Sequence, residues 1–238
     1  MTALQNNPTL AQSAAAVDQA RAVVFDAVGT LIYPNPPAAV VYHEFGRQHG
    51  SRLTQDEIAR NFSRVLQRHA CQPRTNEQIE RDRWRRIVAD VFTDIDQSEP
   101  LFSQLWNHFA RSTSWAVYED VPDVLADLHA LGVITAIGSN FDDHLLAIAR
   151  DLPPLDQTHA IFVSSRLHFT KPSIDFFRAI EAELRLQPHQ LLMVGDDVRN
   201  YIEGANQAGW HSRLLDRGAS ENEVGTIRSL REITPFFA

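Results

Sequence analysis

Three short apolar bursts, each stopped by a polar group, constrain this chain more than anything else in it. Ala22-Val23-Val24-Phe25 ends at Asp26, residues 133–137 lead through Gly138 to Ser139-Asn140, and residues 191–194 lead through Gly195 to Asp196-Asp197. Four or five consecutive residues, nearly all apolar and bounded by Gly or a polar side chain, read as fully buried strands. Helical patterns over 122–131, 142–149, 173–184 and 200–208 separate and follow the later bursts. Strands alternating with helices predict an α/β fold, a Rossmann-like parallel sheet with helices on both faces. Ligands of such a sheet bind beyond the carboxyl ends of its strands, so Asp26, Ser139 and Asp196 are expected to converge there.

Roughly a hundred residues lie between the first burst and the second, far more than a crossover of a dozen or so requires. The excess predicts an inserted α-helical cap domain over 36–114, with amphipathic windows at 38–49, 55–71, 77–92 and 101–111 and with Thr54 and Thr75 as candidate caps. The expected division is a flexible arm over 1–20, a core domain over 21–35 and 115–238, and the helical cap between the two core pieces. Pro34, Pro36 and Pro37 stiffen the passage into the cap, and residues 115–120 return the chain to the core.

At 238 residues and 44% hydrophobic side chains the chain can bury a sizeable core, which excludes disorder throughout. A net charge of -8 without long single-sign runs leaves no footprint for nucleic acid, and no run of about 18 apolar residues offers a membrane span. Cys71, the single cysteine, cannot form an internal disulfide, so a cytoplasmic setting is expected. The ten histidines show no metal-ligand spacing, and the arginine-rich run 81–86 reads as a solvated helix face. Of 22 basic residues, 21 are arginine and one, Lys171, is lysine. A compact ammonium and a planar guanidinium are not interchangeable at a tight site, which marks Lys171 as a candidate functional residue.

Asp26-Ala-Val-Gly-Thr30, Ser139-Asn140, Lys171-Pro172 and Gly195-Asp196-Asp197 occur in this order on the expected strands and loops. Together they resemble the haloacid dehalogenase superfamily, in its helical-cap subclass, over about residues 21 to 215. The stretch Arg83-Trp84-Arg85-Arg86 is similar to the branch that contains hydrolase domain-containing protein 3. The resemblance implies a hydrolase with Asp26 as nucleophile and Lys171 as its charge partner. It implies Thr30, Ser139 and Asn140 as phosphoryl-binding groups, and Asp26, Asp196 and the Val28 carbonyl as ligands of Mg2+. The expected partner is a small phosphorylated metabolite; oligomeric state is not readable. A carboxylate at a strand end can attack an electrophile and form an acyl intermediate, and a hard cation with oxygen ligands offsets the charge of a phosphate. Asp197 and Asn200 are open between helix capping and outer support of a metal, and Tyr201 stands where many relatives carry another acid.

Phosphatases of this superfamily usually carry a second aspartate two positions after the nucleophile, as general acid and base. Here that position is Val28, and a positioned proton donor is typically worth about 10² to 10⁴ in rate. Three readings follow: a magnesium-dependent phosphohydrolase, a metal-independent 2-haloacid dehalogenase whose halide leaves unprotonated, or a weakly catalytic protein that binds a phosphorylated ligand. The adjacent acids Asp196 and Asp197 favour the first.

Overall fold

The computed structural model describes residues 20–70, 72–219 and 225–237. The expected arm over 1–20 and Cys71 therefore lie, all but Ala20, outside the described residues. Six parallel strands form the sheet in the order β5-β4-β1-β6-β7-β8: β1 Ala22–Phe25, β4 Ile134–Ser139, β5 Ala160–Val163, β6 Leu191–Gly195, β7 His211–Leu215 and β8 Thr226–Ile227. The three bursts are its centre, since β1 pairs in parallel with β4 on one side and β6 on the other. All four β1 residues are buried, and they alternate between two cores. Val23 and Phe25 join Leu125 and Ile148 on one face, while Ala22 and Val24 join Phe176, Phe177 and Ile180 on the other. That period of two is why the burst reads as unbroken apolar sequence.

Between β1 and β4 the chain builds a second antiparallel pair, β2 Ile32–Pro34 and β3 Trp115–Val117, with Ile32 opposite Val117 and Pro34 opposite Trp115. Four helices rise from it: α1 Ala38–Gln48, α2 Gln55–Arg68, α3 Glu77–Val91 and α4 Glu99–Phe109. They bury an apolar cluster of their own around Tyr42, Ile58, Val88, Phe92 and Phe102. Thr54 caps α2 in a reciprocal capping box with Glu57. Thr75 does not cap α3. Asn76 takes that role by accepting from the Ile79 N–H, and the Thr75 hydroxyl turns inward to Glu80 at 2.6 Å. Buried Glu80 also faces Arg83 at 3.2 Å, so the arginine-rich run is in part an inward ion pair and not only a solvated face.

The remaining helices cover the sheet: α5 Val121–Ala130, α6 His144–Arg150, the single turn α7 Ser164–Leu167, α8 Ile174–Leu184 and α9 Gly204–Ala208. The helical pattern expected over 200–208 begins instead as a π-helix at Val198–Glu203. The side chains of Asn200 and Tyr201 lie outside the described ones. Among the described residues no helix is long and apolar enough to cross a membrane.

Candidate active site

Asp26 follows β1 directly and is 1% exposed, its backbone N–H still donating to Val194 as though the strand continued. Lys171 is equally buried, and its Nζ lies 2.9 Å from Asp26 Oδ1 and 2.5 Å from the Gly138 carbonyl oxygen. Ser139, at the end of β4, donates to the same Oδ1 at 3.0 Å. Two donors on one oxygen leave Oδ2 as the atom that no described hydrogen bond reaches. Desolvation pulls the Lys171 pKa down while the Asp26 charge opposes it. A buried ammonium beside a buried carboxylate persists only with such partners.

Asn140 sits one residue further on, and its side-chain amide is used at both ends by the Lys171 backbone: Oδ1 accepts from the Lys171 N–H at 2.8 Å and Nδ2 donates to the Lys171 carbonyl at 3.0 Å. This two-point clamp fixes the lysine loop against the end of β4. The preceding residue, Thr170, is tied to the helical insert, its N–H donating to Pro73 at 3.1 Å and its hydroxyl to Gln72 at 2.7 Å.

The loop after Asp26 is tight. Leu31 and Ile32 both donate to the Ala27 carbonyl, at 2.8 and 2.9 Å, and Gly29 turns with φ +87°. A Cβ on Gly29 would lie 2.1 Å from Asp196 Oδ2, so the Asp196 carboxylate leans over this glycine from the end of β6. No side chain fits between them. Burial, reinforced by the charges of Asp26 and Asp197, pushes the Asp196 carboxyl up to about 6. Thr30 is fully buried under the loop and does not line the cavity described next.

A cavity of about 370 Å³ opens over Asp26, Val28, Ser139 and Asn140 and extends beneath the helical insert. Its walls include Tyr42, Phe62, Trp84, Trp106, Phe109, Trp115 and Phe141. Phe109, Trp115 and Phe141 make a continuous edge-to-face series with 5.9 Å steps, running from the insert to the sheet. Among the described residues no three His, Cys, Asp or Glu side chains group as a metal site.

Residues 20–209 match the family profile of haloacid dehalogenase-like hydrolases. The chain belongs to that family. Haloacid dehalogenase-like hydrolase domain-containing protein 3 of Xenopus laevis is 24% identical over 208 residues, which cover 82% of this chain and 84% of that protein. A HAD phosphatase from Thermococcus onnurineus superposes with TM-score 0.67 at 21% identity, covering 92% of this chain and 98% of its own. L-2-haloacid dehalogenase from Xanthobacter autotrophicus does so with TM-score 0.66 at 20% identity, covering 91% and 86%. The fold is thus shared by this haloacid dehalogenase-like hydrolase and by proteins of two different chemistries.

Two structural features of the site went unseen in sequence. The aromatic walls come from windows whose 3.6-residue period is the same whether a face packs on a helix or lines a cavity. Arg217 donates to Asp120 at 2.8 and 3.0 Å and to the Thr30 carbonyl at 3.1 Å, bracing the loop that follows Asp26. Its partners lie 97 and 187 residues away, and no local pattern signals such a pairing.

Proposed function

We propose that this hydrolase is a magnesium-dependent phosphohydrolase acting on a small phosphorylated metabolite through an aspartyl-phosphate, with residues 36–114 as a cap over the core. The observation that carries this reading is the buried Asp26–Lys171 pair with Asp196 poised over the adjoining loop. Asp26 Oδ2 is the attacking oxygen, while Lys171 and Ser139 hold Oδ1 and keep the carboxylate aimed. Lys171 also lessens repulsion between that carboxylate and an incoming phosphate. Asn140 acts as a positioning residue through its clamp on the lysine loop, and the Thr30 backbone holds the loop by donating to the Ala27 carbonyl at 3.4 Å and accepting from Arg217 at 3.1 Å.

The donor set suits a hard cation. The Asp196 carboxylate lies over Gly29 in the loop that follows Asp26, and its carboxyl is raised first by burial and then by the Asp26 charge, a repulsion that a divalent ion would relieve. Asp26, Asp196 and the Val28 carbonyl would hold Mg2+, which when bound neutralises the non-bridging phosphoryl oxygens. Asp196→Ala is expected to weaken magnesium binding by at least about tenfold while the far-ultraviolet circular dichroism stays unchanged, because the side chain lies at the sheet edge and not in the core. Titration calorimetry showing wild-type affinity would remove Asp196 from the ligand set.

Val28→Asp tests what the valine withholds. The side chain lines the cavity beside Asp26, so a carboxyl there can protonate a leaving oxygen. The kcat/KM for alkyl phosphates is expected to rise by about 10² or more, and that for aryl phosphates by much less. Equal gains, or none, across the two classes at saturating magnesium would count against phosphoryl transfer. A parallel assay of halide release from 2-haloacids without metal separates the dehalogenase chemistry that the same fold supports.

A further inference from the structure

Resting on the phosphohydrolase reading, we propose that the cavity takes an aryl phosphate, a monoester whose leaving group is an uncharged, flat aromatic alcohol. Two independent features of the chain meet in that class. The first is the wall. Tyr42, Phe62, Trp84, Trp106, Phe109 and Phe141 present aromatic surface around a space of about 370 Å³, within the roughly 300 to 1,000 Å³ of small-molecule sites. Beyond Asp26, the charged side chains in the wall are Arg83 and Asp142. Both are engaged from behind. Arg83 donates to the His69 carbonyl at 2.7 Å and to buried Glu80 at 3.2 Å. Asp142 faces His144 Nδ1 at 3.0 Å and accepts from the His144 N–H at 2.9 Å. A sugar or a carboxylated tail would leave its polar groups against aromatic carbon, whereas a flat ring finds edge and face contacts.

The second feature is Val28, which supplies no proton to the leaving oxygen. Phenolic oxygens hold a proton only below a pH of about 10, so an aryloxide departs unaided, while an alkoxide does not. Asp26 Oδ2 forms its bond to phosphorus as the phosphorus–oxygen bond to the ring breaks, and the electron pair leaves on the aryloxide. Water then displaces Asp26 from the phosphoryl group, keeping both its protons on the released dihydrogen phosphate. One of these passes through solvent to the aryloxide, giving the phenol and hydrogen phosphate, so the balance needs no general acid from the protein.

Four substrates test this with magnesium saturating: 1-naphthyl phosphate, phenyl phosphate, glycerol 1-phosphate and acetyl phosphate. Acetate also leaves without a proton but fills almost none of the cavity, so acetyl phosphate reports the chemistry alone. The kcat/KM for 1-naphthyl phosphate is expected to exceed that for phenyl phosphate by about tenfold, and both to exceed that for glycerol 1-phosphate by about 10² or more. Ala38→Phe narrows the cavity from α1 without leaving a void, and should lower the naphthyl-to-acetyl ratio at least about tenfold. Three of the four tryptophans, Trp84, Trp106 and Trp115, line the cavity, so the non-hydrolysable naphthylmethylphosphonate should quench wild-type fluorescence saturably. Turnover of acetyl phosphate with no preference for rings, or no quenching, overturns the proposal and leaves the phosphohydrolase reading standing. Phosphate release from none of the four overturns that reading and this proposal together.

Discussion

Asp26→Asn is expected to lower turnover of any substrate by at least about four orders of magnitude, measured as phosphate release under single-turnover conditions. The amide is nearly isosteric and can still accept from Ser139 and Lys171, so the geometry around it should persist. What it loses is the charged oxygen that the proposed mechanism uses both as nucleophile and as a cation ligand. The melting temperature should fall as well, because Lys171 is left buried with its counter-charge removed. Activity within tenfold of wild type would end the assignment of Asp26 as nucleophile.

The second large effect is on stability. Asp120→Ala should cost about 3 kcal/mol in urea denaturation, since it removes one partner of a buried ion pair. Asp120 is 1% exposed and accepts from both ends of the Arg217 guanidinium, from the Ser229 hydroxyl at 2.9 Å and from the Leu230 N–H at 2.9 Å. Those bonds join the start of α5 to the carboxyl-terminal segment, and Arg217 carries the link on to the Thr30 carbonyl. Burial raises the carboxyl pKa, but the hydrogen bonds from Arg217, Leu230 and Ser229 outweigh it, and the net pKa is lowered. A lowered folded pKa contributes stability that is present above the ordinary carboxylate value of about 4 and is lost as pH falls through the folded one. The gap between wild type and Asp120→Ala should therefore be widest near neutrality and close on acidification. A gap independent of pH would mean that packing, and not the ion pair, is what the substitution removes.

The centre of the sheet was legible because β1, β4 and β6 are buried on both faces, and a strand wetted by no water must read as continuous apolar sequence. Other strands were not. Strand β7 carries Ser212 and Arg213, both buried, and β2, in the separate two-stranded pair, contains a proline, so neither shows an apolar run. Lys171 was singled out by composition, and the structure adds what composition could not: it is buried against Asp26 and Gly138. A guanidinium has no room there, so Lys171→Arg should disturb packing as well as turnover. Asn140 shows the opposite limit. It lines the cavity beside Ser139, and its amide also grips the Lys171 backbone, a contact between segments 31 residues apart that no spacing rule encodes.

The β2–β3 pair sets how this molecule can change over evolutionary time. Since Pro34 lies opposite Trp115, the two ends of the helical insert stand about one strand spacing apart, roughly 5 Å. A segment whose ends meet so closely can be lengthened, trimmed or exchanged without moving the strands that carry Asp26, Ser139 and Asp196. Most of the aromatic wall belongs to that segment. On the proposed reading selectivity and reactivity lie on separable stretches of chain, and an insert borrowed from a relative should transplant onto this sheet as one piece, carrying its own preference with it.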